Sequence, residues 1–361
     1  RLGRPAGLEQ FVLGGVDCFA AFHAVGQFHR YQGKQLQQMT LDDVAQGADA
    51  LVEIGAPLNA DFLGRGDFDA ADVIVIEPDP TYQHAATPRA TGTIRRTFSL
   101  PEKVAMSTYA NHIYRDFTQH VGVDGVAAGE ADFKPGGYLY LVAGATGSAQ
   151  VEAVKREMDA AEVATEILDK QALGERFPDI RTDDIDQALW SPHDGWIDPS
   201  GALNGFKGKA RALGVEYKKD RVVGIEVHGR AARRVVLESG ESLAAAAVVN
   251  CANCWAQDVA QMVGLTIPVA VLRRMSYYFE TRNSVGPLPL TRDMHGVSVR
   301  PEGKGFLTGV TDYKSGYGFN WDLDYSWFDE SVWPKLAHRI PSFESLKLQS
   351  CWSGHYDMSL L

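Results

Sequence analysis

The strongest pattern along the chain is the run Asp72-Val73-Ile74-Val75-Ile76-Glu77, cut short by Pro78-Asp79-Pro80. Its apolar residues are continuous rather than alternating, which predicts a strand buried on both faces, as in parallel sheets. Ala246-Ala247-Val248-Val249-Asn250 has the same character, and Ala48 to Ile54 predicts a third such strand. Between them the period changes. Val104, Met106, Tyr109, Ile113 and Phe117 recur mostly at three or four residues after Pro101, which predicts a helix opened by that proline. Ala149 to Ala161 predicts an amphipathic helix, and a short one follows near Leu173.

Pro135-Gly136-Gly137 reads as a turn feeding the strand Tyr138-Leu139-Tyr140-Leu141-Val142. Gly195-Trp196-Ile197-Asp198-Pro199 reads as a loop, with Asp198 or Ser200 capping a helix that runs to about Leu213 and ends at Gly214. Val215 to Tyr217, Val222 to Val227 and Arg234 to Leu237 follow as strands. The last third predicts further strands at Met275 to Phe279, Val297 to Arg300 and Phe306 to Val310. Residues 1–47 carry little signal beyond Phe11-Val12-Leu13 before Gly14-Gly15 and a helical stretch from Leu36 to Gln46.

Composition narrows the function classes. The 361 residues are 45% hydrophobic and 22% charged, values of a folded globular chain. No apolar run approaches the roughly 20 residues of a membrane span, and no secretory pattern is expected after Arg1. A net charge of -11 argues against nucleic acid, which needs clustered Lys and Arg. Cys251 and Cys254 form a C-x-x-C, read as small residues on a turn after a buried strand, and no metal site is expected.

Several stretches, in this order, resemble the D-amino-acid oxidase/sarcosine oxidase superfamily of flavoproteins. One is Val73 to Tyr82, with Ala90-Thr91-Gly92-Thr93-Ile94-Arg95-Arg96-Thr97-Phe98-Ser99-Leu100-Pro101-Glu102 after it. Others are Gly195 to Pro199 with Gly205-Phe206 and Gly214-Val215-Glu216-Tyr217, then Val248-Val249-Asn250-Cys251-Ala252-Asn253-Cys254-Trp255-Ala256. Arg300 to Gly305 and Trp352 to Asp357 complete the set, which covers roughly residues 70–361.

The resemblance implies a mixed α/β fold: a Rossmann-like FAD-binding domain carrying an inserted antiparallel-sheet substrate domain. It divides the chain into a poorly assigned segment 1–47, a discontinuous FAD-binding domain at 48–130 and 200–265, and a substrate domain at 131–199 and 266–361. FAD is the implied cofactor, bound by Gly55, Glu77, Pro78, Thr91, Gly92, Arg95, Val222, Asn250, Ala252 and Trp255. An acid ending the second strand of such a unit can accept both ribose hydroxyls, hence Glu77. Arg95 and His355 are the implied catalytic residues. Arg95 would stabilise anionic reduced flavin or hold a substrate carboxylate, with Arg96 its neighbouring alternative. Arg274 and Lys304 are weaker carboxylate candidates, and Trp196, Tyr138 and Tyr140 are pocket walls or core.

The chain departs from the family where G-x-G-x-x-G should follow the first strand. Leu51-Val52-Glu53-Ile54-Gly55-Ala56-Pro57-Leu58 retains only Gly55. Gly14-Gly15 lies much further before Glu77 than the usual spacing of about 20 residues. A glycine-rich loop is also expected past Asp357, and Asn253 and Cys254 replace the family's glycine and proline or alanine. A shortened sequence, a rearranged chain and a degenerate cofactor site all account for this.

The expected function is FAD-dependent oxidation of an amine or amino acid, with hydride passing to flavin N5 and the imine product hydrolysed. The alternative is a flavoprotein-like subunit or assembly factor without catalysis. An NAD-dependent dehydrogenase shares only the acid after the second strand. The expected partners are a small amine or amino-acid substrate and a partner subunit or electron-acceptor protein. The expected compartment is cytoplasmic, with the mitochondrial matrix as alternative.

Overall fold

The computed structural model describes residues 73–229 and 231–359, and the backbone of Leu51–Gly55. The expectations for residues 1–47, including Gly14-Gly15, and for the fingerprint segment after Gly55 lie outside the described residues. The strands are β1 (Leu51–Gly55), β2 (Val73–Ile76), β3 (Thr93–Ile94), β4 (Tyr138–Val142), β5 (Glu166–Asp169), β6 (Gln187–Ser191), β7 (Gly195–Trp196) and β8 (Glu216–Lys218). They continue with β9 (Val222–His228), β10 (Ala231–Leu237), β11 (Ser242–Ala244), β12 (Ala247–Cys251), β13 (Val269–Thr281), β14 (Leu290–Arg292), β15 (Ser298–Glu302), β16 (Gly305–Thr311) and β17 (Leu346–Ser359). The helices used below are α1 (Ala86–Arg89), α2 (Pro101–Arg115), α3 (Phe117–Val121), α4 (Gly144–Ala160), α5 (Lys170–Arg176), α6 (Pro199–Ala212), α7 (Ala256–Gln261) and α8 (Trp333–Arg339).

Strands β12, β1, β2 and β8 form a parallel sheet in that order. Strand β2 is apolar on both faces because both are covered. Val73 and Val75 join Ala210, Val215 and Val249 under α6. Ile76 and Val248 face the other way, onto Val222, Ile225 and Val235 of the meander β9–β11 and Val259 of α7. This alternation is why the Val73–Ile76 run has no polar position. Each such side chain contributes about 1.5–3 kcal/mol on burial.

The second sheet has the order β17-β13-β16-β15-β14-β4-β6-β5. It is antiparallel throughout except where β14 lies parallel to β4, with Leu290 opposite Tyr138. That one junction joins the middle of the chain to its last third. Leu139 and Leu141 of β4 share a core with Tyr277, Phe279, Phe328 and Phe343.

Two helices differ instructively from the pattern. On α2 the buried face holds Ser107 and Asn111 with Val104, Ile113 and Tyr114, while Tyr109 points outward. Both polar groups are satisfied: the Ser107 hydroxyl donates to the Val104 carbonyl, and the Asn111 amide to that of His193. Apolar periodicity therefore misassigns this face. Helix α4 starts at Gly144, five residues before the apolar pattern, because the Asp186 carboxylate accepts the Gly144 N–H (2.6 Å) from a distant loop. The cap of α6 is Asp198, whose side chain accepts from the Ser200 N–H (2.9 Å), and Gly214 takes the left-handed φ of 107°.

Candidate active site

Strand β2 delivers Glu77 to the carboxyl edge of the parallel sheet, where ligands of open α/β folds bind. The pairing of Ile54 with Ile76 sets Gly55 beside it. The backbone N–H of Glu77 donates to Lys218 (3.0 Å), and its Oε1 accepts the Asp79 N–H (2.8 Å). Burial pushes this carboxyl up to about 7. The Asp79 N–H works against the rise, the Asp79 charge adds to it, and the Lys207 and Arg221 charges oppose it. Lys207 is occupied nearby, donating to the Pro80 carbonyl (3.0 Å) over the Tyr82 ring.

From Glu77 the chain turns through Asp79, whose carboxylate accepts from the Thr81 and Gln83 N–H groups, into α1. Arg89 at the end of α1 donates to the carbonyls of Gln83 (2.6 Å) and Ser353 (2.5 Å), and Trp352 Nε1 donates to the Arg89 carbonyl (2.9 Å). This fastens the post-β2 segment to β17 next to His355. His355 is buried between Trp321 and Phe319. Its Nε2 accepts the Asn320 N–H (3.0 Å), so the neutral ring carries its proton on Nδ1. Burial pushes its pKa below the usual histidine value, and Nδ1 has no partner among the described residues. His355 thus offers a buried N–H donor and is not arranged as a base.

Gly92 is fixed by close approach. It has φ of 72°, its carbonyl accepts from Ile197 N–H (2.9 Å), and a Cβ there would stand 2.3 Å from the Ile197 carbonyl oxygen. Gly92→Ala is expected to destabilise the protein by at least about 2 kcal/mol through left-handed strain and this backbone clash. A denaturation midpoint unchanged from wild type would refute it. Thr91 is held from across the fold, its carbonyl accepting Arg300 Nε (2.8 Å).

The two neighbouring arginines separate cleanly. Arg96 makes a buried ion pair with Asp194: its N–H and Nε reach the two carboxylate oxygens at 3.0 and 2.8 Å. Arg95 donates to the Thr97 carbonyl (3.0 Å) and lies over the rings of Phe98 (4.2 Å) and Tyr138 (5.8 Å). Tyr138 is buried; burial pushes its phenol up, while Arg95 and Arg292 pull it down. Arg95 and Tyr138 therefore share one locus, whereas Arg89 joins the segment after Glu77 to the strand that carries His355. Arg274 stacks on Tyr356, and Lys304 sits exposed in the β15–β16 turn.

Asn250 and Ala252 act on each other. The Asn250 side chain donates to the Ala256 carbonyl (2.8 Å) and accepts the Ala252 N–H (3.2 Å), so it shapes the turn. Asn253 has φ of 47°, the left-handed conformation that glycine or asparagine adopts most readily. Trp255 stacks on Phe319 (4.8 Å) and so joins the shell around His355. Val222 packs against Ile76 behind the sheet edge, and Pro78 follows Glu77 directly.

The order of the parallel sheet, the acid on its edge and the large second sheet agree with a match to the FAD-dependent oxidoreductase (DAO) family over residues 62–360. The chain belongs to this FAD-dependent oxidoreductase family. It is 32% identical, over 80% of its length, to FAD-dependent oxidoreductase domain-containing protein 1 of Xenopus laevis, and it spans 64% of that relative. It is 28% identical to human mitochondrial sarcosine dehydrogenase over 49% of this chain and 21% of that protein. In fold it is similar to L-proline dehydrogenase from P. horikoshii, with a TM-score of 0.74, 21% identity and coverage of 86% and 82% of the two chains.

The residues present fit the family's cofactor. A half-buried carboxyl with one backbone donor has acceptor capacity left for a diol, and the unpartnered Nδ1–H of His355 wants an acceptor. Three residues that fix this shell had no sequence signal. Asp194, Arg89 and Asn320 are each defined by partners far along the chain or by a backbone group.

Proposed function

We propose that this chain oxidises the carbon–nitrogen bond of a small amine or amino acid, secondary amines included, to an imine that water hydrolyses. The observation that carries this is the desolvated carboxyl of Glu77 on the edge of a parallel sheet, in a segment that Arg89 fastens at Ser353 to the strand carrying the buried donor of His355. Two relatives support the substrate class, since sarcosine and proline, named for them, are both secondary amino acids. FAD would supply the two-electron acceptor.

The protein's own groups do the rest. Ionised Glu77 would hold the adenosine ribose of FAD, and Gly92 keeps its loop flush against Ile197. Asp194 neutralises Arg96, which leaves Arg95, of the two neighbours, as a cation beside Tyr138 for a substrate carboxylate or developing negative charge. Burial keeps His355 neutral near pH 7, so its Nδ1–H donates without adding charge.

The test is the visible spectrum of the purified, FAD-reconstituted chain under anaerobic conditions. A yellow protein that bleaches with sarcosine, proline or another amino acid, and not with the matching 2-hydroxy acid, is expected. A chain that stays colourless after reconstitution would point to the non-catalytic subunit or assembly factor. Bleaching by the hydroxy acid alone would reject the amine.

A further inference from the structure

At the end of β4 remote from Tyr138, three metal-ligand side chains converge from distant parts of the chain. Asp184 lies in the loop before β6, His295 in the β14–β15 turn and His338 in the last turn of α8. Asp184 Oδ2 is 3.0 Å from His338 Nε2 and 4.0 Å from His295 Nε2, and the three ligand atoms lie within 4.8 Å of one another. A tetrahedral zinc ion with bonds of about 2.0–2.1 Å needs ligand separations of about 3.3 Å, so the observed spacings bracket the requirement. His295 is nearly half exposed, and a rotation at that side chain closes the gap.

The cluster is braced from behind. Buried Arg339 holds both Asp184 oxygens at 2.8 and 3.0 Å and also bonds Asp293, which accepts the His295 N–H (2.7 Å). A single guanidinium thus fixes the carboxylate ligand and the turn bearing one imidazole, as outer-shell groups do at metal sites. We propose that Asp184, His295 and His338 form a zinc site, with a water in the fourth position, that fastens these three segments of the second sheet together. Two imidazoles and one carboxylate suit zinc in preference to magnesium or calcium.

One neighbour opposes the metal. Arg181 Nη1 lies 3.3 Å from His338 Nδ1. A guanidinium only donates, so Nδ1 is the acceptor and Nε2 carries the proton toward Asp184. Metal at Nε2 moves that proton to Nδ1, and Arg181 must swing toward the Asp183 carboxylate, already 4.0 Å from its Nε. Arg181→Gln removes the charge and supplies a carbonyl that accepts Nδ1–H, so it should tighten binding.

The test is titration of the chelator-stripped full chain with zinc against a chromophoric competitor, and with cobalt(II) read by its visible d–d bands. One equivalent should bind. His295→Ala, on an exposed turn, should weaken zinc at least tenfold with an unchanged melting temperature in chelator, and R181Q should tighten it several-fold. Absence of stoichiometric binding overturns the proposal. So does binding that survives both H295A and H338A, or a thiolate-to-cobalt charge-transfer band, which would place the ion at Cys251 and Cys254.

Discussion

Glu77→Gln is expected to weaken FAD binding by about 10–100-fold, the range for losing charge-assisted hydrogen bonds to two hydroxyls. The effect carries a pH signature. In the cofactor-free protein the Glu77 carboxyl is pushed up to about 7 by burial. Only the ionised form accepts from both ribose hydroxyls, so wild-type affinity should be level above pH 7. Below it, affinity should fall by about tenfold per pH unit, as binding must release a proton. The stability of the cofactor-free protein should run the opposite way. Because the folded value lies above the ordinary one, this group's contribution is fully present below about pH 4.5 and is lost as pH rises through about 7. The span is at most about 3–4 kcal/mol. Glutamine abolishes both slopes. Titration calorimetry with FAD across pH checks this: a Gln variant with wild-type affinity and pH profile would remove Glu77 from the cofactor site.

Arg339→Leu should cost about 3–5 kcal/mol. Arg339 is 1% exposed and bridges Asp184 and Asp293 while donating to the Arg181 carbonyl. Burial works against ionisation of Asp184, yet hydrogen bonds from Arg339 and His338 hold its carboxyl well below the usual range. Leucine leaves Asp293 charged in a dry environment with only the His295 N–H from the turn. Adding Asp293→Asn removes the stranded charge and should recover more than about 1 kcal/mol. Chemical denaturation of the two variants measures both effects. A single variant as stable as wild type would show that the bridge carries no net stabilisation.

The elements most visible in the sequence were those whose burial is uniform. Val73 to Ile76 and Ala247 to Cys251 are covered on both faces, so their apolar runs are unbroken and Glu77 follows at a predictable place. Asp198 and Gly214 were legible because each answers a local backbone need: a helix cap and a left-handed turn. The α2 face was misjudged because buried Ser107 and Asn111 are satisfied by hydrogen bonds, which hydrophobic periodicity cannot register. Arg95 was put forward from the sequence, with adjacent Arg96 as its alternative. Their roles split only because Asp194, nearly a hundred residues later, folds back onto one of them.

By itself, the sequence determined the strands of the parallel sheet, the acid on its edge and the family order of its motifs, since these follow from local patterning. Tertiary structure decided which arginine is spent on an ion pair, which histidine nitrogen keeps its proton, and how β14 meets β4. Those outcomes depend on pairings between remote residues. A hydrogen bond or ion pair has no period along the chain, so it becomes visible only once folding has brought its two partners together.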